Sequence, residues 1–233
     1  MHPRYGRRLP LSRDQGLLVA SAAWLIPSIT VVAATLIHLL DQPRAVPFFI
    51  SETDHEGLQD LVFTVGLTLG GVCQMAYAWH LYHELEAARP RTWFVASLLG
   101  VLASANTVLV SHFDMYNHIN PHILTAMLAF GGGVAWAFTA GWAMGDMASS
   151  MGRRMRRIGI TMAAVGFVVM VVAFQSAANT VDPTGLTTVE FLNQAQSGIA
   201  VAAPAEYVLV AGLMLCLASF RYELLAKEKE QAS

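Results

Sequence analysis

The stretch that decides the fold is "GLLVASAAWLIPSITVVAATLIHLL", residues 16–40, which contains no Lys, Arg, Asp or Glu. A helix rises about 1.5 Å per residue and the hydrocarbon core of a bilayer is about 30 Å thick, so about 20 apolar residues cross it. A basic segment precedes the stretch, as in a signal peptide, but the apolar run is about twice the usual signal length. We therefore expect it to remain in place as a transmembrane helix.

The rest of the chain has the same character. Of its 233 residues, 55% are hydrophobic and 13% are charged, against about 25% charged in an average soluble domain. Two cysteines inside apolar runs give no disulfide framework. The sequence predicts an all-α polytopic membrane protein, a single six-helix transmembrane domain over residues 1–233. The expected spans are 16–40, 59–83, 92–113, 122–146, 158–180 and 199–220.

Positive charge predicts how the helices are oriented. Lys and Arg are retained on the cytoplasmic side of a membrane, and with six spans every cation except Arg44 falls on one side. We therefore expect both termini to be cytoplasmic and the other three loops to face the extracytoplasmic side. The topogenic cations are Arg4, Arg7, Arg8, Arg13, Arg89, Arg91, Arg153, Arg154, Arg156, Arg157, Arg221, Lys227 and Lys229.

Polar side chains gather at the outward end of the predicted spans, and Glu206 is the most exceptional of them. It is the eighth residue of the sixth span, on the order of 10 Å below the outer surface. An ionised carboxylate at the bilayer centre costs about 2.5–3.5 kcal/mol on insertion scales. Glu206 should therefore face the bundle interior, either in a functional pocket or in a structural hydrogen bond, for example with Asn106 or Gln175.

The segment "SHFDMYNHINPH", residues 111–122, concentrates histidines near that end. Pro121 favours a helix start at about residues 120–121, so His112 should close the third span and His122 should open the fourth. Together with Asp114 they supply ligand types that suit a divalent metal such as zinc. There are two alternatives. The histidines could form a metal-free polar pocket for a head group or proton, or they could lie at the membrane interface without a chemical role.

Three motifs resemble a known family: "VPFFISETDHEG" (46–57), "NPHILTAMLAFGGGVAW" (120–136) and "APAEYVLVAGLM" (203–214). They are similar to the six-span family of damage-regulated autophagy modulators, Sfk-type proteins, Frag-type GPI-anchor remodelling factors and the N-terminal region of the Cwh cell-wall proteins. The acidic "TDHEG" and Tyr207, where tryptophan is common, depart from that pattern. The resemblance implies binding or remodelling of polar or anchored lipids, or regulation of lipid metabolism.

The leading hypothesis is an outward-facing His/Asp/Glu pocket that binds or remodels a membrane lipid. An enzymatic version, of lipid hydrolase or acyltransferase type, would use His122 or Glu206 as general base, but no G-x-S-x-G elbow accompanies them. Whether the chain is an enzyme stays open. The candidate catalytic residues are His122, Glu206 and His112; the candidate ligand-binding residues are Glu52, Asp54, His55, Asp60, Asn106, Asp114 and Gln175.

A non-enzymatic scaffold or regulator is the main alternative. In that case the polar residues only stabilise the bundle, and membrane proteins or a second copy of the chain would be its partners. A proton-coupled transporter and a haem protein are lesser alternatives. Nucleic-acid binding is not expected, because the basic runs are short and flank the spans.

Overall fold

The computed structural model describes residues 11–232, without the side chains of Arg13 and residues 227–232. The N-terminal cations Arg4, Arg7 and Arg8 lie outside the described residues, as do the side chains of Lys227 and Lys229.

Within that range the chain forms seven α-helices and no strand, which confirms the all-α class. Six helices are long and apolar enough to cross a membrane, so the protein is an integral multi-pass membrane protein. The short α6 is the exception. The helices are α1 (Arg13–Leu40), α2 (Leu58–Glu84), α3 (Pro90–Val110), α4 (Ile119–Met144), α5 (Ser150–Ala178), α6 (Thr188–Gln194) and α7 (Gln196–Ala232).

Two helix starts differ from the predicted spans because capping, and not hydropathy, sets them. α5 begins directly after Ser149, whose hydroxyl accepts a hydrogen bond from the N–H of Gly152. The arginines at 153–157 therefore lie on the first turns of a helix and not in a loop. α6 was not predicted; Thr187 and Glu190 form a capping box at its start, a pattern that marks helix N-termini.

The spanning helices pack mainly in chain order, α1 on α2, α2 on α3, and α3 on α4. The long α7 closes the bundle by packing against α5, α1 and α4. The 42–57 segment joins α1 to α2 and contains a 3-10 turn, Ile50–Thr53, that contacts α1, α2 and α7. This arrangement leaves a space between the spanning helices that the 42–57 segment covers at one end.

α5 and α7 approach each other most closely through glycines. A Cβ added at Gly212 would lie 2.6 Å from both the backbone N of Ala163 and the carbonyl O of Gly159. At Gly159 the added atom would lie 2.7 Å from the carbonyl O of Gly212. Small residues let membrane helices approach backbone to backbone, so these glycines fix the position of α7.

Candidate functional site

A cavity of about 130 Å³ lies at the centre of the bundle. Side chains from α1, α2, α3, α4, α7 and the 42–57 segment line it, and α5 contributes none of them. Most of the wall is apolar. Its larger apolar residues are Val31, Ile50, Phe63, Leu67, Val110, Phe130, Trp136, Val210, Leu213, Met214 and Leu217.

Six polar side chains also line the cavity: Ser51, Gln74, Ser104, Thr107, His122 and Glu206. Three of them donate hydrogen bonds to backbone carbonyls of the bundle. Gln74 donates to Ala23, Ser104 to Gly100 and Thr107 to Ala103. The chemistry of the cavity therefore rests on Ser51, His122 and Glu206.

Glu206 is 4% exposed and lies on α7 at the wall of the cavity. Its Oε2 accepts a hydrogen bond of 2.7 Å from the backbone N–H of Ile50. The partners expected from sequence were wrong: Asn106 donates to Leu102 on its own helix, and Gln175 is exposed. The 3-10 turn of the 42–57 segment supplies the contact instead, and its backbone geometry could not be inferred from side-chain types.

His122 lies in the first turn of α4 and is also 4% exposed. Its Nδ1 is 2.5 Å from the carbonyl O of Phe113. Because a carbonyl only accepts, Nδ1 carries the ring hydrogen, and Nε2 is then the basic nitrogen of the neutral ring. The loop 111–118 thus fixes the tautomer of a histidine at the cavity wall.

Glu52, an expected ligand-binding residue, does not line the cavity. Its carboxylate accepts two hydrogen bonds from Arg44, at 3.0 and 3.1 Å, and one from the N–H of Phe49 at 3.0 Å. Burial raises the pKa of Glu52, while Phe49 and Arg44 both lower it. Arg44 also donates to Asn193 and Gln196. The pair fastens the 42–57 segment to α6 and α7.

Acidic side chains form a second polar group outside the cavity. Asp54 is 4% exposed and its Oδ2 has no hydrogen-bond partner among the described residues. Burial, followed by the neighbouring carboxyl of Asp60, raises the pKa of Asp54 to about 8. His55 is exposed, with its ring 5.2 Å from that of Tyr116. None of these three expected ligand-binding residues lines the cavity.

Asp114 is held by its own loop. It accepts hydrogen bonds from the backbone N–H of Tyr116 and Asn117, and its Oδ2 lies 2.9 Å from Nδ1 of His118. Burial acts to raise the pKa of Asp114, but the bonds from His118, Asn117 and Tyr116 outweigh it and the pKa is lowered.

The expected metal ligands His112, Asp114 and His122 are not brought together. His112 is exposed, with Nε2 3.1 Å from the hydroxyl of Thr68, while the other two bond within the loop as described above. Across the described side chains, no three His, Cys, Asp or Glu residues are placed to hold a metal ion. The zinc interpretation, and a catalytic role of His112 with it, have no geometric support.

Sequence reasoning missed a buried ion pair at the other end of the bundle. Arg156 of α5 donates to Glu223 and Ser219 of α7, and Glu223 also accepts from the N–H of Ser149 at 2.7 Å. The arginine and the glutamate are 67 positions apart. The charges of 153–157 were interpreted only as topogenic, and no local spacing marks one of them as buried.

The fold and cavity define a six-span membrane protein in which Ser51, His122 and Glu206 line a buried, mostly apolar cavity. The family model described as "Frag1/DRAM/Sfk1/Cwh43P N-terminal domain" matches residues 15–227. The chain belongs to this family, which confirms the resemblance seen in its motifs. Searches of curated proteins and of solved structures gave no match.

Proposed function

We propose that the central cavity binds part of a membrane lipid, with an apolar segment against its walls and a polar group at Glu206 and His122. One observation carries the proposal: these two buried polar side chains line the same mostly apolar cavity. Ligand sites combine apolar walls with a few convergent polar groups in this way.

The volume limits what part of a lipid enters. A cavity of about 130 Å³ is close to the engineered cavity of about 150 Å³ that binds benzene. A short segment of a single acyl chain fits such a space, whereas a whole diacyl lipid does not. The remainder of the lipid would lie among the surrounding acyl chains, beyond the wall of the bundle.

The polar end of the cavity favours a particular head group. No Lys or Arg is among the described lining residues, so the charge of an isolated phosphate would have no counter-ion there. Glu206 uses Oε2 for Ile50, and neither its Oε1 nor Nε2 of His122 bonds to a described residue. A hydroxyl, an amide or an amine suits these groups better.

Catalysis is a second candidate function, favoured by Ser51, which lines the same cavity as His122 and Glu206. A hydroxyl, an imidazole and a carboxylate are the side chains of nucleophilic acyl transfer. Turnover of a labelled phospholipid to its lyso form, retained by wild type and lost in both Ser51→Ala and His122→Ala, would support it. Equal turnover by Ser51→Ala would exclude this serine as the nucleophile.

The lipid-binding proposal is tested by filling the cavity. Ala129 lies on α4 at the cavity wall, whereas Ala135 on the same helix is exposed and does not line it. Native mass spectrometry of protein extracted from membranes should show bound lipid for wild type and Ala135→Leu, and strongly reduced lipid for Ala129→Leu. Equal occupancy in the two leucine variants would contradict the proposal and favour a scaffold without a ligand.

A further inference from the structure

A second, open groove lies at the end of the bundle remote from Glu206, along the first turns of α5. Its volume is about 570 Å³. α7 links the two ends: Glu223, which accepts from Ser149 at the start of α5, lies 17 residues beyond Glu206, about 25 Å at the helical rise. The groove is lined by Ala148, Ser150, Arg153, Arg154, Arg157 and Ile158.

Three guanidinium groups face this groove with little to neutralise them. Arg153 lies 3.6 Å from the carboxylate of Asp146, which is fully exposed, and exposed pairs of this kind contribute little. Its Nη2 donates to the backbone carbonyls of Asp146 and Ala148, which carry no net charge. Nε of Arg153 is buried without an acceptor among the described residues. Arg154 and Arg157 are exposed, and their side chains bond to no described residue. Arg156, on the same turn, differs because Glu223 neutralises it.

Apolar side chains flank the arginines and connect the groove to the membrane. Ile158, at the edge of the groove, is 48% exposed, and Met151 is 50% exposed. Exposed apolar residues beside arginines place the groove at the boundary between acyl chains and water. A ligand that bridges this boundary would have an apolar part next to an anionic group.

We propose that this groove binds a lipid head group that carries a terminal phosphate. Arginine forks bind phosphate oxygens in pairs, a geometry that lysine does not reproduce. A phosphomonoester carries about −1.5 to −2 charges near neutral pH, which suits a site with three guanidinium groups and one exposed carboxylate. Lipids with a single diester phosphate match it less well.

The test uses the full-length protein in detergent micelles with three probes: dihexanoyl phosphatidic acid, dihexanoyl phosphatidylglycerol and inorganic phosphate. Affinity should be about tenfold or more higher for phosphatidic acid than for phosphatidylglycerol, because charge-assisted hydrogen bonds to the extra phosphate charge are gained. Inorganic phosphate should bind more weakly than phosphatidic acid, since it lacks the apolar part.

The matched variants keep the charge and change only the geometry. The double substitution Arg154→Lys with Arg157→Lys should lower the affinity for phosphatidic acid about fivefold or more, while Arg91→Lys, an exposed arginine away from the groove, should leave it unchanged. Unaltered melting temperatures will show that the variants are folded. Equal affinity for the two lipids, equal affinity for inorganic phosphate, or an unaffected double variant would each overturn the proposal.

Discussion

Two glutamates on α7 have the same burial and opposite surroundings. Glu206 and Glu223 are each 4% exposed. Glu223 is paired with Arg156, which also lies 4.2 Å from the ring of Phe220, and accepts from Ser149. Glu206 accepts one hydrogen bond, from a backbone N–H, and lines the cavity. Burial alone therefore does not distinguish the two acids; what distinguishes them is the buried cation beside Glu223, which Glu206 lacks among the described residues.

The difference has an energetic reason. A buried carboxylate loses its hydration, and only a close cation with further hydrogen bonds offsets that cost. The surroundings of Glu223 meet this requirement, so its role is explained by the stability of the α5/α7 contact. The surroundings of Glu206 do not, and a ligand group in the cavity would supply the missing partner.

The largest loss of stability is expected when the Arg156–Glu223 ion pair is broken. Glu223→Ala leaves the guanidinium of Arg156 buried without its carboxylate, so it should lower the free energy of unfolding by about 3–5 kcal/mol. Denaturation in mixed micelles measures this. The double variant Arg156→Met with Glu223→Met removes both charges and should recover most of the loss; a loss of under about 1 kcal/mol in the single variant would show that the pair is not a buried structural element.

The glycine contact between the two glutamates should give a smaller effect. Gly212→Ala brings a Cβ to 2.6 Å from the backbone of α5 and should cost about 1–3 kcal/mol by overpacking. Gly131→Ala on α4 is the control, because there the nearest atom to an added Cβ, in the ring of Phe167, is 3.4 Å away. Equal stability of the two variants would mean that α5 and α7 are not held together at this contact.

Asp54, which lies outside the cavity, should make the stability of the protein depend on pH. The pKa of Asp54 rises from 3.8 to about 8 on folding, so between these values the folded protein holds a proton that the unfolded chain releases. This contribution to stability is complete below about pH 4 and is lost as the pH rises through 8. Asp54→Asn cannot ionise and should therefore raise stability at pH 8, relative to wild type, by on the order of 1–2 kcal/mol after solvent screening.

Thermal melting of the two proteins at pH 5 and pH 8 checks this. At pH 5, near the start of this range, only a small part of the contribution has been lost, so the difference between Asp54→Asn and wild type should be smaller than at pH 8. If the stability difference between Asp54→Asn and wild type is the same at both pH values, the protonation state of Asp54 in the folded protein does not change between pH 5 and pH 8 in the way predicted.

The spans were predictable because long apolar runs require no tertiary information. Hydropathy gave 59–83 for a helix that runs Leu58–Glu84, and it indicated that Glu206 should avoid lipid. Hydropathy did not predict helix starts that polar capping residues set. The cap at Ser149 starts α5 before its arginines. The Thr187–Glu190 capping box, which starts α6, was present in the sequence but was not recognised.

The surroundings of the candidate site were harder to infer, since they depend on pairs distant in sequence. Arg44 was interpreted only as the single cation on the outer side, yet it pairs with Glu52, so that carboxylate is engaged within the 42–57 segment. The backbone N–H that binds Glu206 comes from Ile50, 156 positions away. His122 and Glu206 were selected by depth and helix position, and both line the cavity.

The most direct measurement compares Glu206→Gln with wild type for lipid retained through purification and for stability. The amide oxygen can still accept from Ile50, so the free energy of unfolding without lipid should change by less than about 1 kcal/mol. Bound lipid, by native mass spectrometry, should fall about tenfold or more because the amide NH2 that replaces Oε1 cannot accept a hydrogen bond from the ligand. Lipid occupancy equal to wild type together with a loss of stability like that of Glu223→Ala would contradict the account, because Glu206 would then be a structural acid.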